Sequence, residues 1–313
     1  MAAWAIKRQG ADVVPLRLRR RRLYILPTRA GLGFAAVLLG MLLAALNYGN
    51  GTALGLAGLL GGLALVAMHQ CHRNLLELEI ASIETTPGFA GGRGLMALAL
   101  TNDARIGRLR VQVEADGATR AAVVDLAPNA TARAVLEVPT PRRGRLRIDR
   151  VRISTTHPFG LFRSWTWLSA PVSIIVFPRP HGARPLPPPD GARHDSRRSG
   201  DGGEQDEWRG LRPFRDGDSP RQVAWKAYAR GAPLLVKEYA SSGAGKRWFD
   251  YGRLAGLDVE ARLEQLARWI VDADARGELY GLVLPGRLFA ADRGTEHRRR
   301  ALTALAFHGL EAP

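Results

Sequence analysis

Cysteine is almost absent from this chain of 313 residues, and the single Cys71 can neither close an internal disulfide nor build a zinc cluster. A reduced, cytoplasmic body is therefore compatible with the sequence. Also missing are a nucleophile elbow, a phosphate-cradling P-loop, an H-E-x-x-H zinc pair and a paired-cysteine site. Acids are scarce beside bases: 29 Asp plus Glu stand against 45 Lys plus Arg, a formal net charge of +16. That surplus fits anionic lipid, nucleic acid or acidic protein as a partner and says nothing about fold. A hydrophobic content of 46% with 24% charged residues excludes wholesale disorder. The length suggests about two soluble units of roughly 100–200 residues each.

The most informative absence is local. From Ala30 to His72 there is no Asp, Glu, Lys or Arg. The stretch is too long for one membrane span and right for two of about 20 residues each. Asn47-Tyr48-Gly49-Asn50-Gly51 is turn chemistry, so the stretch predicts a two-helix transmembrane hairpin, with helices near Gly31–Leu46 and Thr52–Met68. Residues 1–29 form a basic arm, with Arg19–Arg22 as its densest run, whereas the turn carries no charge and Arg73 follows the second span. The positive-inside rule then places both termini and the soluble body in the cytoplasm, at the inner membrane. The arginine run also suits anionic headgroups. Small residues recur at helical spacing, Ala36, Gly40 and Ala44 in the first span and Gly51, Gly55, Gly58 and Gly62 in the second. Such stripes let backbones approach closely, either within the hairpin or against another subunit, which leaves a homo-oligomer open.

Beyond Arg73 the apolar period changes to two. Leu76, Leu78 and Ile80, then Leu95, Ala97 and Ala99, then Leu109, Val111 and Val113 alternate with mostly polar neighbours, and Leu146 and Ile148 face Arg145 and Arg147. Seven or eight short strands divided by turns over residues 73–178 predict an antiparallel β-sandwich. His157-Pro158-Phe159-Gly160 interrupts the alternation, and the lone His157 reads as part of a corner that plugs the sandwich.

Residues 179–206, rich in Pro, Gly, Arg and Ser, predict a flexible linker or an exposed loop. Over 207–313 helical and strand periods alternate, the mark of a small α/β unit. Ser219 and Pro220 open a helix over Pro220–Arg230 that places Gln222, Lys226 and Arg230 on one face. Like charges at that spacing repel, so they are expected to meet acids such as Glu207, Asp216, Asp218 or Glu238. Val259–Arg276 and Thr295–Phe307 predict two further helices, with a strand at Leu279–Leu284 between them.

One run is specific. Arg212 is followed by Asp216, Gly217, Asp218, Pro220 and Arg221, then by Trp225-Lys226-Ala227, then by Ala229-Arg230, and an apolar strand ends in Lys237-Glu238. This pattern resembles the hallmark of the Domain of Unknown Function 58 family. The resemblance extends to the layout, with Arg142-Arg143-Gly144 and the Pro158-Phe159-Gly160-Leu161-Phe162 corner in matching places. It implies a multidomain fold: membrane hairpin, β-sandwich, and a C-terminal part similar to a degenerate von Willebrand A fold. In that fold an Asp-x-Ser-x-Ser loop helps to hold a divalent metal. Here the stretch is Asp250-Tyr251-Gly252-Arg253-Leu254, without either hydroxyl and with Arg253 where a cation would sit, so no metal and no cofactor is expected.

The family is commonly encoded beside MoxR-type AAA+ ATPases and von Willebrand A proteins. The resemblance therefore implies a membrane-tethered adaptor or assembly protein that works with them and has no catalysis of its own, the hallmark being either its interaction surface or an internal staple. Two alternatives stay open: an enzyme using Asp216 and Asp218 for acid–base work, and a self-assembling membrane structural protein. Nucleic acid is not an expected partner, because no reading motif or aromatic-interleaved basic platform is present.

Overall fold

The computed structural model describes residues 12–169, 171–190, 207–213, 225–228, 233, 235–240 and 246–310, with backbone alone at 207–213, 226–227 and 236–240. The chain divides into two compact units, one built on residues up to Arg179 together with the chain from Ala306 onward, the other on Pro180–Leu305.

In the first unit Leu16–Arg17 (β1) and Tyr24–Pro27 (β2) precede two long helices, Arg29–Asn47 (α1) and Gly51–Arg73 (α2). Ten strands follow: Glu79–Thr86 (β3), Gly88–Phe89 (β4), Gly92–Asn102 (β5), Arg108–Ala115 (β6), Ala122–Leu126 (β7), Ala130–Thr140 (β8), Gly144–Ile148 (β9), Val151–Thr155 (β10), Phe162–Leu168 (β11) and Val172–Phe177 (β12). They form sheets of order β1-β3-β5-β8, β2-β11-β10-β6-β7 and β4-β12-β9. Among the described pairs of this unit only β4 with β12 is parallel, a departure from the all-antiparallel expectation. On β8, Ala134, Leu136 and Val138 are buried while Glu137 between them is exposed, the period of two read from the sequence. Leu136 faces Met96 and Ala134 faces Leu98 on β5. Together with Ile80 they meet Val111, Val113, Ile153 and Leu168 of the five-stranded sheet in one core. Full burial of such side chains stabilises by about 1.5–3 kcal/mol each.

The basic arm expected over residues 1–29 is a correction. Its described part belongs to the β-rich body: Leu16 pairs with Ile80, and Ser164 and Trp165 of β11 pair with Ile25 and Tyr24. Leu18, in the middle of this basic stretch, is 1% exposed. Long-range pairing recruits these residues, and no local period announces it.

The two helices are long and apolar enough to cross a membrane, and only 11% of each apolar window is buried. Asn50 caps α2, its side chain accepting from the Ala53 N–H at 3.0 Å, and Gly49 takes a positive φ of 61° in the turn. The second helix runs five residues beyond the expected Met68, because its last turn packs on the body: Ala67 and Cys71 are 2% and 1% exposed.

In the second unit, Arg247–Asp250 (β13), Val259–Ala275 (α3), Tyr280–Leu284 (β14), Arg287–Asp292 (β15) and Thr295–Phe307 (α4) follow one another. Strands β13 and β14 are parallel, and β15 returns antiparallel. Asp258 caps α3 through the Ala261 N–H at 2.7 Å. Leu263, Leu266, Ala267 and Ile270, one apolar stripe of α3, are fully buried. Phe249 stacks on Tyr280 at 5.5 Å between ring centres.

The first part of the expected flexible linker is held in place. Gln265 of α3, 1% exposed, accepts from the Arg184 N–H at 2.9 Å and donates to the Arg184 carbonyl at 3.1 Å, as a neighbouring strand would. The Trp269 indole donates to the same carbonyl at 3.1 Å. Arg247 donates to the Pro187 carbonyl, and the Asp190 N–H reaches the Lys246 carbonyl at 2.8 Å. Polar side chains of the α/β unit satisfy this backbone, so residues 181–190 need no core of their own.

Candidate functional site

The hallmark run falls largely outside the described residues: Asp216, Gly217, Asp218, Pro220, Arg221 and Arg230 lie there. Its two flanks do come together. Glu207–Pro213 pairs antiparallel with Leu235–Ala240, placing Arg212 opposite Val236, Leu211 opposite Lys237 and Gly210 opposite Glu238. Within the helix expected over Pro220–Arg230, Trp225–Tyr228 is helical. Trp225 and Tyr228 are 56% and 53% exposed, and their rings meet edge to face at 6.3 Å. Lys226 is placed there by backbone only.

At the position similar to a metal loop, one Asp250 oxygen accepts from the Gly252 N–H at 2.8 Å and the other lies 3.6 Å from the Arg253 guanidinium. The carboxylate is occupied by the chain's own donors. No group of three or more His, Cys, Asp or Glu suited to a metal occurs among the described residues.

The small-residue stripes face away from the hairpin's seam. A Cβ built on Gly40, Gly55, Gly58 or Gly62 would meet nothing within 4 Å, and Ala36 and Ala44 are exposed. Buried or half-buried instead are, among others, Phe34, Leu38, Met41 and Ala45 on α1 and Ala53, Ala57, Leu60, Gly61, Ala64 and Ala67 on α2. Packing of the named stripes within the hairpin is thereby corrected. Spacing alone cannot choose between two helix faces that both carry small residues.

The richest chemistry sits where the hairpin meets the body. At the base of α2, Arg108 is 4% exposed. It donates to the carbonyls of Asn74 at 2.9 Å and Arg73 at 3.3 Å, and through Nε to the Asn102 side chain at 2.7 Å. A guanidinium thus closes the carbonyl end of the helix, where a cation is favoured. Burial lowers the Arg108 pKa, Glu77 and Asp103 raise it, and Arg17 and Arg73 lower it further. Asn74 completes the knot: its amide donates to the Leu109 carbonyl at 2.8 Å and to the Thr155 hydroxyl at 2.9 Å, and its oxygen accepts from the Leu109 N–H at 3.1 Å.

The base of α1 is built differently. Thr28 caps the helix by accepting from the Gly31 N–H at 3.1 Å, and its hydroxyl donates to the Gly160 carbonyl at 2.5 Å. The corner read from Pro158–Phe162 is therefore the seat of the helix start. Gly31 is required there, since a Cβ would lie 1.9 Å from the Leu161 carbonyl oxygen. Beside this seat opens a cleft of about 770 Å³ lined by Arg29, Arg152, Arg163 and Trp165 among others. Arg152 pairs with Glu114 and lies 5.8 Å from the centre of the Trp167 ring, and its buried Nε has no hydrogen-bond partner. Tyr24 stacks on Trp165 at 5.8 Å. Sequence reasoning missed Arg108 and this cleft. The one available signal for the cleft was the aromatic pair Trp165 and Trp167 next to the corner.

No protein-family model matches the chain, and no curated protein matches it.

Proposed function

We propose that the chain is a membrane-tethered adaptor or assembly protein, held by two spans with its body at the cytoplasmic face of the inner membrane. It works with a MoxR-type AAA+ ATPase and von Willebrand A proteins and performs no catalysis of its own. The observation that carries the tether is the nakedness of the hairpin. Leu59, Val37 and Leu65 are 70%, 65% and 65% exposed, a continuous apolar surface that water would not tolerate and lipid would cover. Charge supports the orientation: Arg29 and Arg73 end the hairpin on the body's side, and the turn at its far end carries none.

The partner assignment rests on the resemblance of the hallmark. The exposed aromatic pair Trp225 and Tyr228 supports its reading as a contact surface, since such residues dominate interface energetics. The parallel pair β13–β14 joined through α3, with Asp250 ending the first strand, supports the von Willebrand A-like reading of the C-terminal unit. The outward glycines of α2 favour a second reading, self-association within the membrane.

The test is a crosslinked pull-down of the full-length protein from native membranes, with mass spectrometry of what is retained. Recovery of an AAA+ ATPase or a von Willebrand A protein, lost in Lys226→Glu while the folded protein remains, is the expected result. Recovery of the chain alone would replace the adaptor with the self-assembling reading.

A further inference from the structure

The cleft at the base of α1 is not explained by tethering. Its three arginines come from separate elements, Arg29 from the first turn of α1, Arg152 from β10 and Arg163 from β11, and no carboxylate lines it. Arg152 is balanced by Glu114, whereas the guanidinium groups of Arg29 and Arg163 have neither an ion-pair nor a hydrogen-bond partner among the described residues. Two unpaired guanidiniums beside one that is paired leave the cleft with a positive surplus, which favours an anion. Guanidinium forks match the oxygens of a phosphate in particular.

The surroundings say where that phosphate comes from. The outer face of the sheet at the cleft carries Tyr24, Leu26 and Trp167, which are 52%, 59% and 42% exposed, with Trp165 stacked on Tyr24. Exposed aromatics beside the start of an apolar helix are what a headgroup layer selects. From Ala30, which lines the cleft, the positions Gly33, Val37 and Gly40 continue along the same side of α1, all exposed. A molecule with its phosphate in the cleft has an open apolar track for a chain alongside the helix. The open cleft has a volume of about 770 Å³, within the range of small-molecule sites.

We propose that this cleft is a binding site for one anionic phospholipid, its headgroup phosphate held by Arg29, Arg152 and Arg163 and one acyl chain lying along α1. The assignment rests on the hairpin crossing the membrane.

The experiment is native mass spectrometry of the full-length protein released from detergent, titrated with phosphatidylglycerol or phosphatidylcholine. One phosphatidylglycerol is expected to bind at least tenfold more tightly than phosphatidylcholine. Arg29→Gln/Arg163→Gln should reduce the preference to within twofold, while Arg276→Gln/Arg287→Gln, which removes two exposed arginines of the other unit, should leave it intact. Should the double variant not fold, Arg163→Gln alone is read, with a threefold or greater loss expected. Equal retention of both lipids, or a preference that survives the cleft substitutions, overturns the site. Displacement of the lipid by millimolar inorganic phosphate overturns the lipid assignment in favour of a free-phosphate pocket. Extraction of membranes with alkaline carbonate separates the two levels: a chain that washes off refutes the spanning reading, whereas a chain that stays while showing no lipid preference refutes the cleft alone.

Discussion

The two helices of one hairpin meet the same body in opposite ways. At the base of α2 the Arg108 guanidinium holds the last carbonyls of the helix and the Asn102 side chain, while the Asn74 side chain bonds to Leu109 and Thr155, all out of water. At the base of α1 the helix is seated by one threonine and one close glycine, and the arginines beside it open onto a cleft. A buried polar group without a partner costs more than its hydrogen bond returns, so a closed knot is a rigid one. An open cluster of like charge holds its repulsion in reserve for a ligand. The first junction fixes the two long helices to the body; the second leaves an open cleft.

Arg108→Met tests the closed side and carries the largest expected effect. The helix carbonyls cannot be removed along with the arginine, so they stay buried and unpaired, which costs about 3 kcal/mol. Amide exchange of the strand containing Val111, in full-length protein, should accelerate roughly a hundredfold, since exchange tracks local opening. Peptides of the C-terminal unit serve as the internal reference. Unchanged protection would mean that the knot is decoration and that the comparison between the two bases fails.

Gly31→Val is the corresponding test of α1. With a Cβ at 1.9 Å from the Leu161 oxygen, either the helix start or the corner must move. Overpacking of this kind costs about 2 kcal/mol. The loss should appear as faster exchange at Phe162–Leu168 with the α2 junction unaffected, because Arg108 and Asn74 do not depend on the seat. Equal loosening at both bases would show that the hairpin is clamped as one piece.

The difference between the junctions also marks how far the sequence can be read. An uncharged run from Ala30 to His72, broken once by turn residues, announces two long apolar helices from local composition alone. The β-rich body is legible for a similar reason, its long strands such as β5 and β8 carrying their own alternation between core and solvent. Strands β1 and β2 are not, since two and four residues are too short to display a period and are recruited by partners far along the chain. Arg108 is equally silent: it sits between Arg105 and Arg110, and only its tertiary position makes it a helix cap. The glycine stripes misled because spacing identifies a face and not what the face meets. Residues 181–190 carry no period at all, yet Gln265, Trp269 and Arg247 hold their backbone from outside.

The smallest effect sharpens the comparison most, because it separates capping from seating. The Thr28 hydroxyl accepts from the Gly31 N–H and donates to the Gly160 carbonyl, so one side chain both caps α1 and ties it to the corner. Thr28→Ala removes both bonds and should cost about 1 kcal/mol, the ordinary worth of an N-cap. Thr28→Asp keeps an acceptor for the cap but cannot donate when ionised, and it sets a carboxylate beside Arg29 and Arg163 at the cleft wall. Its stability should lie between those of the wild type and Thr28→Ala, while preference for an anionic lipid falls at least threefold in native mass spectrometry. Were Thr28→Asp to match the wild type in both readouts, neither the tie to Gly160 nor the charge of the cleft would matter, and the base of α1 would be as inert as the base of α2.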